Sequence, residues 1–293
     1  MIEKIPFHTK CEDGVVLKGM LLKPSLTKAV VQFNAGTATK KEFYLPFLTY
    51  LAENGYLCCL WDYRGSGESA PATLKGCKFT YRDYGQKDMP AIKKFLRKEY
   101  PNLPLLLFTH STGGQQIGFM SNLEGYTGMV GFAISTGYAP NMPLSYRIQS
   151  NYFFYLFTPL SNLMFGYLKA KKFGYMEDLP KNVVNEWKSW CSKKYYFFDK
   201  EFANKTISVR NFKDIPFPIH VFWTPDDPIS NERNTKNFWK HVSSENAITF
   251  EKLNPKKVVG QKIEHFGFFK KQMKDELWQL GLKKLDEFIK DDS

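Results

Sequence analysis

Apolar positions along this chain fall into short continuous runs, separated by stretches in which they recur at threes and fours. Ile5–His8 and Val15–Leu22, joined by the turn Glu12-Asp13-Gly14, read as an antiparallel hairpin. Continuous apolar runs follow at Ala29–Phe33, Tyr56–Trp61, Leu105–Phe108, Met129–Ser135 and Pro218–Trp223, with a last strand pattern at Ala247–Leu253. A run that is apolar at every position suits a parallel sheet covered on both faces. The intervening stretches read as helices: Glu42–Asn54 closed by Gly55, Asp83–Tyr100 with Met89, Ile92, Phe95 and Leu96 on one side, Asn231–His241, and a closing helix over Lys271–Lys290. Strand and helix alternating in this order predict right-handed βαβ units and a mostly parallel sheet flanked by helices.

The alternation breaks once. Residues 137–209 are dense in aromatics, lack strand-like alternation and carry helical patches such as Asn182–Cys191. The predicted organisation is therefore one α/β core made of residues 1–136 and 210–293, with a helical, aromatic-rich subdomain, 137–209, inserted after the sixth strand. An insertion there sits over the carboxyl edge of the sheet, where open α/β folds bind ligands. Its longest apolar stretch, Tyr152–Leu168, is interrupted by Pro159 and Asn162 and is too short to cross a bilayer, so no transmembrane segment is expected. The expectation is a lid that buries these aromatics against the sheet's carboxyl edge.

Composition changes this picture little. At 293 residues, 43% hydrophobic and 16% aromatic, the chain has ample material for a core. Its five cysteines, Cys11, Cys58, Cys59, Cys77 and Cys191, show no metal-type spacing, and Cys58 and Cys59 lie inside an apolar run. They read as buried thiols of a reducing compartment. Met1–Lys10 carries no apolar run of the signal-peptide kind, and a cytoplasmic location is the expectation. The net charge of +12 is spread over scattered lysines, with small clusters at Lys169–Lys172, Lys256–Lys257 and Lys270–Lys271. No nucleic-acid motif accompanies them, so they read as a solvated basic surface and no nucleic-acid partner is expected.

Candidate chemistry centres on Leu105-Leu106-Leu107-Phe108-Thr109-His110-Ser111-Thr112-Gly113-Gly114. An apolar strand runs into a serine flanked at minus two and plus two by the small residues Thr109 and Gly113, and a helical pattern follows. This is the shape of a nucleophile elbow, a turn so tight that its neighbours must be small. A serine hydroxyl needs a base to take its proton and a third group to orient that base. Of the five histidines, His8 comes too early, His220 falls inside a strand, His241 ends a helix, and His110 points away from the Ser111 hydroxyl. His265 lies in the loop between the last strand and the closing helix, at the sheet's carboxyl edge. The orienting acid comes from Trp223-Thr224-Pro225-Asp226-Asp227-Pro228, with Asp227 preferred and Asp226 in reserve. An oxyanion hole needs two backbone N–H groups. Thr112 supplies one, and the loop Asn34–Thr39 supplies the other from Thr37 or Gly36, with Thr37 preferred. Asp62-Tyr63-Arg64-Gly65-Ser66-Gly67-Glu68-Ser69 lacks the glycine spacing and the Lys-Ser/Thr of a phosphate-binding loop and reads as a structural turn.

Taken together, the Asp62–Ser69 turn, the elbow and the Ser111, Asp227, His265 order resemble the α/β-hydrolase superfamily over nearly the whole chain. More narrowly, Asp83-Tyr84-Gly85-Gln86-Lys87-Asp88, His110–Gln115, Leu179-Pro180, Glu186-Trp187, Trp190-Cys191 and His265–Phe269 resemble uncharacterised bacterial serine hydrolases of the serine-aminopeptidase-like group. Thr109 stands where that pattern usually has glycine, and Asn34-Ala35-Gly36 where it usually has His-Gly. The resemblance implies a serine hydrolase that needs no cofactor and no metal. The aromatic insertion points to an apolar acyl ester as substrate, with Tyr152, Phe153 and Phe157 as substrate-binding residues. Two other readings stand beside it: a non-catalytic ligand-binding protein of the same fold, and an aminopeptidase using Glu177, Asp178 or Glu186 to hold an α-amine.

Overall fold

The computed structural model describes residues 1–291. In chain order the strands are β1 (Ile2–Lys10), β2 (Val16–Pro24), β3 (Ala29–Asn34), β4 (Tyr56–Trp61), β5 (Leu105–His110), β6 (Gly128–Phe132), β7 (Tyr167–Leu168), β8 (Leu179–Pro180), β9 (Ile219–Trp223) and β10 (Ile248–Lys252). Eight of them form one sheet in the order β1-β2-β4-β3-β5-β6-β9-β10, while β7 and β8 pair only with each other. The hairpin β1–β2 and the β2–β4 contact are antiparallel, and every other pairing in the large sheet is parallel. The chain therefore has the mostly parallel, helix-flanked sheet that its alternating pattern predicts.

Burial follows the reading of the apolar runs. Every residue of β3, β4, β5 and β6 is buried, as strands covered on both faces must be. The helix Leu45–Glu53 and the closing segment lay Phe47, Phe268, Phe269 and Trp278 over one face of β5, with the Phe47 and Phe108 rings 4.8 Å apart. The edge strand β10 is largely open to solvent. Cys11, Cys58, Cys59 and Cys191 are buried free thiols.

Two elements are shorter than their patterns suggest. The sixth strand ends at Phe132 rather than Ser135, because Ala133 turns into the left-handed region (φ 59°). The stretch after Ser111 is a single α-turn, Thr112–Gln115, followed by a 3-10 turn, Ile117–Phe119. Three glycines, Gly113, Gly114 and Gly118, deprive it of helix propensity.

The turn Asp62–Ser69 is bound to its own surroundings. Asp62 Oδ2 accepts from Lys41 Nζ at 2.7 Å and from the Glu68 N–H at 3.0 Å. The fully buried Arg64 reaches Asp88 Oδ1 through Nε at 2.6 Å and Asp13 Oδ2 through Nη1 at 2.7 Å. Its cation is consumed internally, as a structural turn requires.

The inserted segment departs from expectation in one respect. Helix Leu144–Tyr152, a π-turn Phe153–Phe157 and helix Thr158–Phe165 follow without interruption and end at Gly166, which takes φ 80°. Only one side of this helix is buried, at Phe154, Thr158, Ser161 and Asn162. Tyr152, Tyr155, Leu156, Leu160, Leu163 and Met164 are exposed. The aromatics of Tyr152–Leu168 are therefore not all folded against the sheet, because a single helix can present only one side to it. No helix of the described residues is long and apolar enough to cross a membrane. Among the bonds that hold the insertion to the core, the Glu177 N–H donates to Ala38 O at 3.0 Å, Arg82 Nε to Glu186 Oε1 at 2.7 Å, and Tyr196 Oη to Gln115 Oε1 at 3.2 Å.

Candidate active site

Ser111 stands at the carboxyl end of β5 with φ 49° and ψ −115°. A non-glycine residue there is strained by about 1–3 kcal/mol and persists only where its surroundings impose it. The Ser111 N–H donates to Phe132 O at 3.0 Å, and its carbonyl accepts from Gly114 and Gln115, both at 3.0 Å. The turn also drives the backbone of residue 113 against β3: a Cβ on Gly113 would lie 2.0 Å from Asn34 O. Only glycine fits. Thr109, paired across from Gly131, is fully buried in the strand.

His265 and Asp227 meet. Both are buried, and His265 Nδ1 lies 2.8 Å from Asp227 Oδ2. Asp227 Oδ1 accepts from the N–H groups of Ile229 (2.7 Å) and Ser230 (2.8 Å), which fixes the carboxylate plane. Asp226 does something else. Its Oδ2 accepts from the Ile263 N–H at 2.9 Å and its Oδ1 from the Glu264 N–H at 3.2 Å, so it clamps the loop that carries His265. Among the described residues, Ser111 Oγ makes no hydrogen bond to His265.

Thr37 and Thr112 also come together. Their hydroxyls are hydrogen-bonded to each other, and both bond the hydroxyl of the buried Tyr81. Among the described residues, neither the Thr37 N–H nor the Thr112 N–H donates to any group. Thr112 adjoins the half-buried Ser111, and two unengaged amides on touching residues are the kind of donor pair an oxyanion hole needs.

A second chain of bonds runs beneath. The Gly36 N–H donates to Tyr44 Oη at 3.1 Å, and Tyr44 Oη lies 2.7 Å from His110 Nδ1. His110 Nε2 lies 2.9 Å from the His265 carbonyl oxygen. A carbonyl only accepts, so Nε2 carries the proton and Nδ1 accepts from Tyr44. The residue before Ser111 thus ties the Asn34–Thr39 loop to the His265 loop. Gly36 is small by necessity, since a Cβ there would lie 2.8 Å from His110 Nδ1. Both ring nitrogens of His110 are thus engaged, by Tyr44 and by the His265 carbonyl, so it connects two parts of the site. Tyr44 and Tyr81 were not singled out from sequence, and nothing marks them among 16 tyrosines.

Burial, reinforced by the neighbouring His265, holds His110 well below the ordinary imidazole value. The folded state therefore keeps it neutral at a pH where the unfolded chain binds a proton. Its contribution is intact above about pH 6.5, and stability falls below that by about 1.4 kcal/mol per pH unit. Urea-unfolding midpoints measured from neutral pH down to about pH 5 check this. His110→Gln should flatten the slope by one proton, and an unchanged slope would refute the assignment.

The remaining sequence candidates sit in the insertion. Phe153 and Phe157 are half-buried and pack on each other and on Tyr175, while Tyr152 is exposed. Their ring contacts are with Phe154, Phe173, Tyr175 and Trp187, not with the His110–His265 cluster. Trp187 in turn lies 6.0 Å from the Tyr81 ring, centroid to centroid. Glu177 faces Lys171 at 3.1 Å and Lys40 at 3.8 Å, and Glu186 is engaged by Arg82. Among the described residues, no group of three or more His, Cys, Asp or Glu side chains is arranged to hold a metal ion.

Residues 25–162 match the family described as serine aminopeptidase, S33 (Hydrolase_4). No curated protein sequence matches the chain significantly. Its fold is shared with solved structures at low identity. An esterase from Pyrococcus furiosus aligns at 16% identity and TM-score 0.61, over 99% of this chain and 91% of that one. A thermostable carboxyl esterase from Bacillus coagulans aligns at 15% identity and TM-score 0.63, over 98% and 99%. A soluble variant of monoglyceride lipase from Saccharomyces cerevisiae aligns at 14% identity and TM-score 0.62, over 98% and 94%. With its sheet order and these likenesses, the chain has the α/β-hydrolase fold.

Proposed function

We propose that this chain is a serine hydrolase that cleaves the ester of an apolar small-molecule acyl substrate through an acyl-enzyme. The observation that carries the reading is a strained serine at the end of β5 whose neighbour His110 bonds the loop holding an Asp227-oriented His265. In this reading Asp227 keeps the His265 proton on Nδ1, which leaves Nε2 free to take the Ser111 hydroxyl proton. Ser111 Oγ attacks the acyl carbonyl, and the Thr37 and Thr112 N–H groups hold the oxyanion. Collapse expels the alcohol, which receives its proton from His265. Water then enters by the same route and releases the acid. Tyr81 acts as a positioning residue, since its hydroxyl holds both threonines.

The neighbours' printed names, two esterases and a monoglyceride lipase, support the ester class. The family description admits an aminopeptidase, but the carboxylates needed to hold an α-amine face lysines or an arginine: Glu177 with Lys171, Glu186 with Arg82. The segment 137–209 is the lid in this reading, and its half-buried Phe153 and Phe157 rings select the acyl chain. A p-nitrophenyl ester series of increasing acyl length tests the class. Turnover should rise from acetate towards medium chains and far exceed that of aminoacyl p-nitroanilides. Phe153→Ala with Phe157→Ala should shift the preferred length with little change in melting temperature, both rings being only half-buried. Early melting with an unchanged length profile would mean these rings only pack the insertion. Faster turnover of the anilides would overturn the ester reading.

A further inference from the structure

We propose that the outer face of the helix over residues 144–165 docks onto an anionic phospholipid surface. Leu144, Ile148, Tyr152, Leu156, Leu160 and Leu163 are all exposed and recur at intervals of four, four, four, four and three. Four residues overshoot one α-turn, and the π-turn Phe153–Phe157, which needs more residues per turn, brings the row back into line. The result is an exposed apolar band on the side of the helix away from the buried Phe154, Thr158 and Asn162. Leu163 is 83% exposed and Met164 71%. Nothing in the fold covers them, and an apolar ridge of this size on a soluble surface marks an interaction site.

Charge selects the occupant. Between residues 137 and 176 the chain has no aspartate and no glutamate, and its charged residues are Arg147, Lys169, Lys171 and Lys172. Lys75 packs beside Gly166 and Lys188 over the Tyr155 ring, adding cations to the flanks. Of the next carboxylates, Glu177 is buried against Lys171, and the half-buried Asp178 accepts from the Lys171 N–H at 2.9 Å. An apolar ridge on a stretch whose own charges are all cations matches the boundary between anionic headgroups and acyl chains. A second copy of this chain fits less well, because pairing two such faces would bring like charges together. The Lys169–Lys172 cluster, unremarkable in sequence, thereby acquires a partner. The helix lies in the plane of the surface rather than across it.

Vesicle flotation of the full chain tests the proposal. Vesicles of phosphatidylcholine alone are compared with equimolar phosphatidylglycerol and phosphatidylcholine. The chain should float with the anionic vesicles at least tenfold more, and added salt should reduce binding. Leu163→Glu with Met164→Glu should lower it at least tenfold, and loss of each of Lys169 and Lys172 about fivefold. The melting temperature and the turnover of a short soluble ester should stay unchanged, since these side chains lie outside the candidate site. Ser111→Ala should bind as the wild type does, so docking and the proposed chemistry can fail separately. Absence of binding to anionic vesicles overturns the proposal, as does a Leu163→Glu/Met164→Glu variant that binds undiminished. So does a wild-type dimer in analytical ultracentrifugation that these changes dissolve without any vesicle binding, which would make the ridge a contact between copies.

Discussion

Ser111→Ala should lower ester turnover about a million-fold, the scale seen when the nucleophile of such a triad is removed. The fold should be untouched. Ser111 is half-buried and its Oγ has no hydrogen bond among the described residues, so truncation leaves no buried partner unsatisfied. Alanine also meets the same backbone strain at φ 49° that serine already bears. The melting temperature should therefore move by no more than about 0.5 kcal/mol of stability would move it. Turnover and thermal unfolding of the purified variant decide the matter. Retained turnover would remove Ser111 from the chemistry, while early melting would make it a structural residue.

Asp227→Asn should lower kcat about ten-thousandfold at unchanged fold. Asp227 Oδ1 is fixed by the Ile229 and Ser230 N–H groups, so an asparagine there must keep its carbonyl oxygen on that side. Its amide NH2 then faces His265 Nδ1, which must become an acceptor. The imidazole proton moves to Nε2, and the base can no longer take a proton from Ser111. Asp226→Asn is the control. Asp226 holds the Ile263 and Glu264 N–H groups, which an amide oxygen still does in part, and the loss should stay under about tenfold. A crippled Asp226→Asn with a mild Asp227→Asn would reverse the two roles.

Much of this protein is legible in its sequence because two periods differ so plainly. The fully buried strands β3 to β6 announce themselves as unbroken apolar runs, and the helices between them as threes and fours. The turn at Ser111 is legible for a steric reason: Gly113 must be glycine because Asn34 lies against it. What escapes the sequence is whatever depends on distant residues meeting. Tyr44 and Tyr81 are separated from their partners by 66 and 31 residues, and no local pattern reports such a bond. The insertion misled for another reason. Aromatic density argues that a segment needs cover, but one helix has two sides. Burial of Phe154 leaves Leu156, Leu160 and Leu163 facing out.

In the proposed mechanism Ser111 is a nucleophile activated by His265. Labelling with a fluorophosphonate probe, followed by mass spectrometry of the digested protein, tests it most directly. One covalent adduct is expected, on the peptide carrying Ser111, lost entirely in Ser111→Ala and slowed at least a thousandfold in His265→Ala. An unlabelled wild-type protein, or an adduct on any other residue, would contradict it.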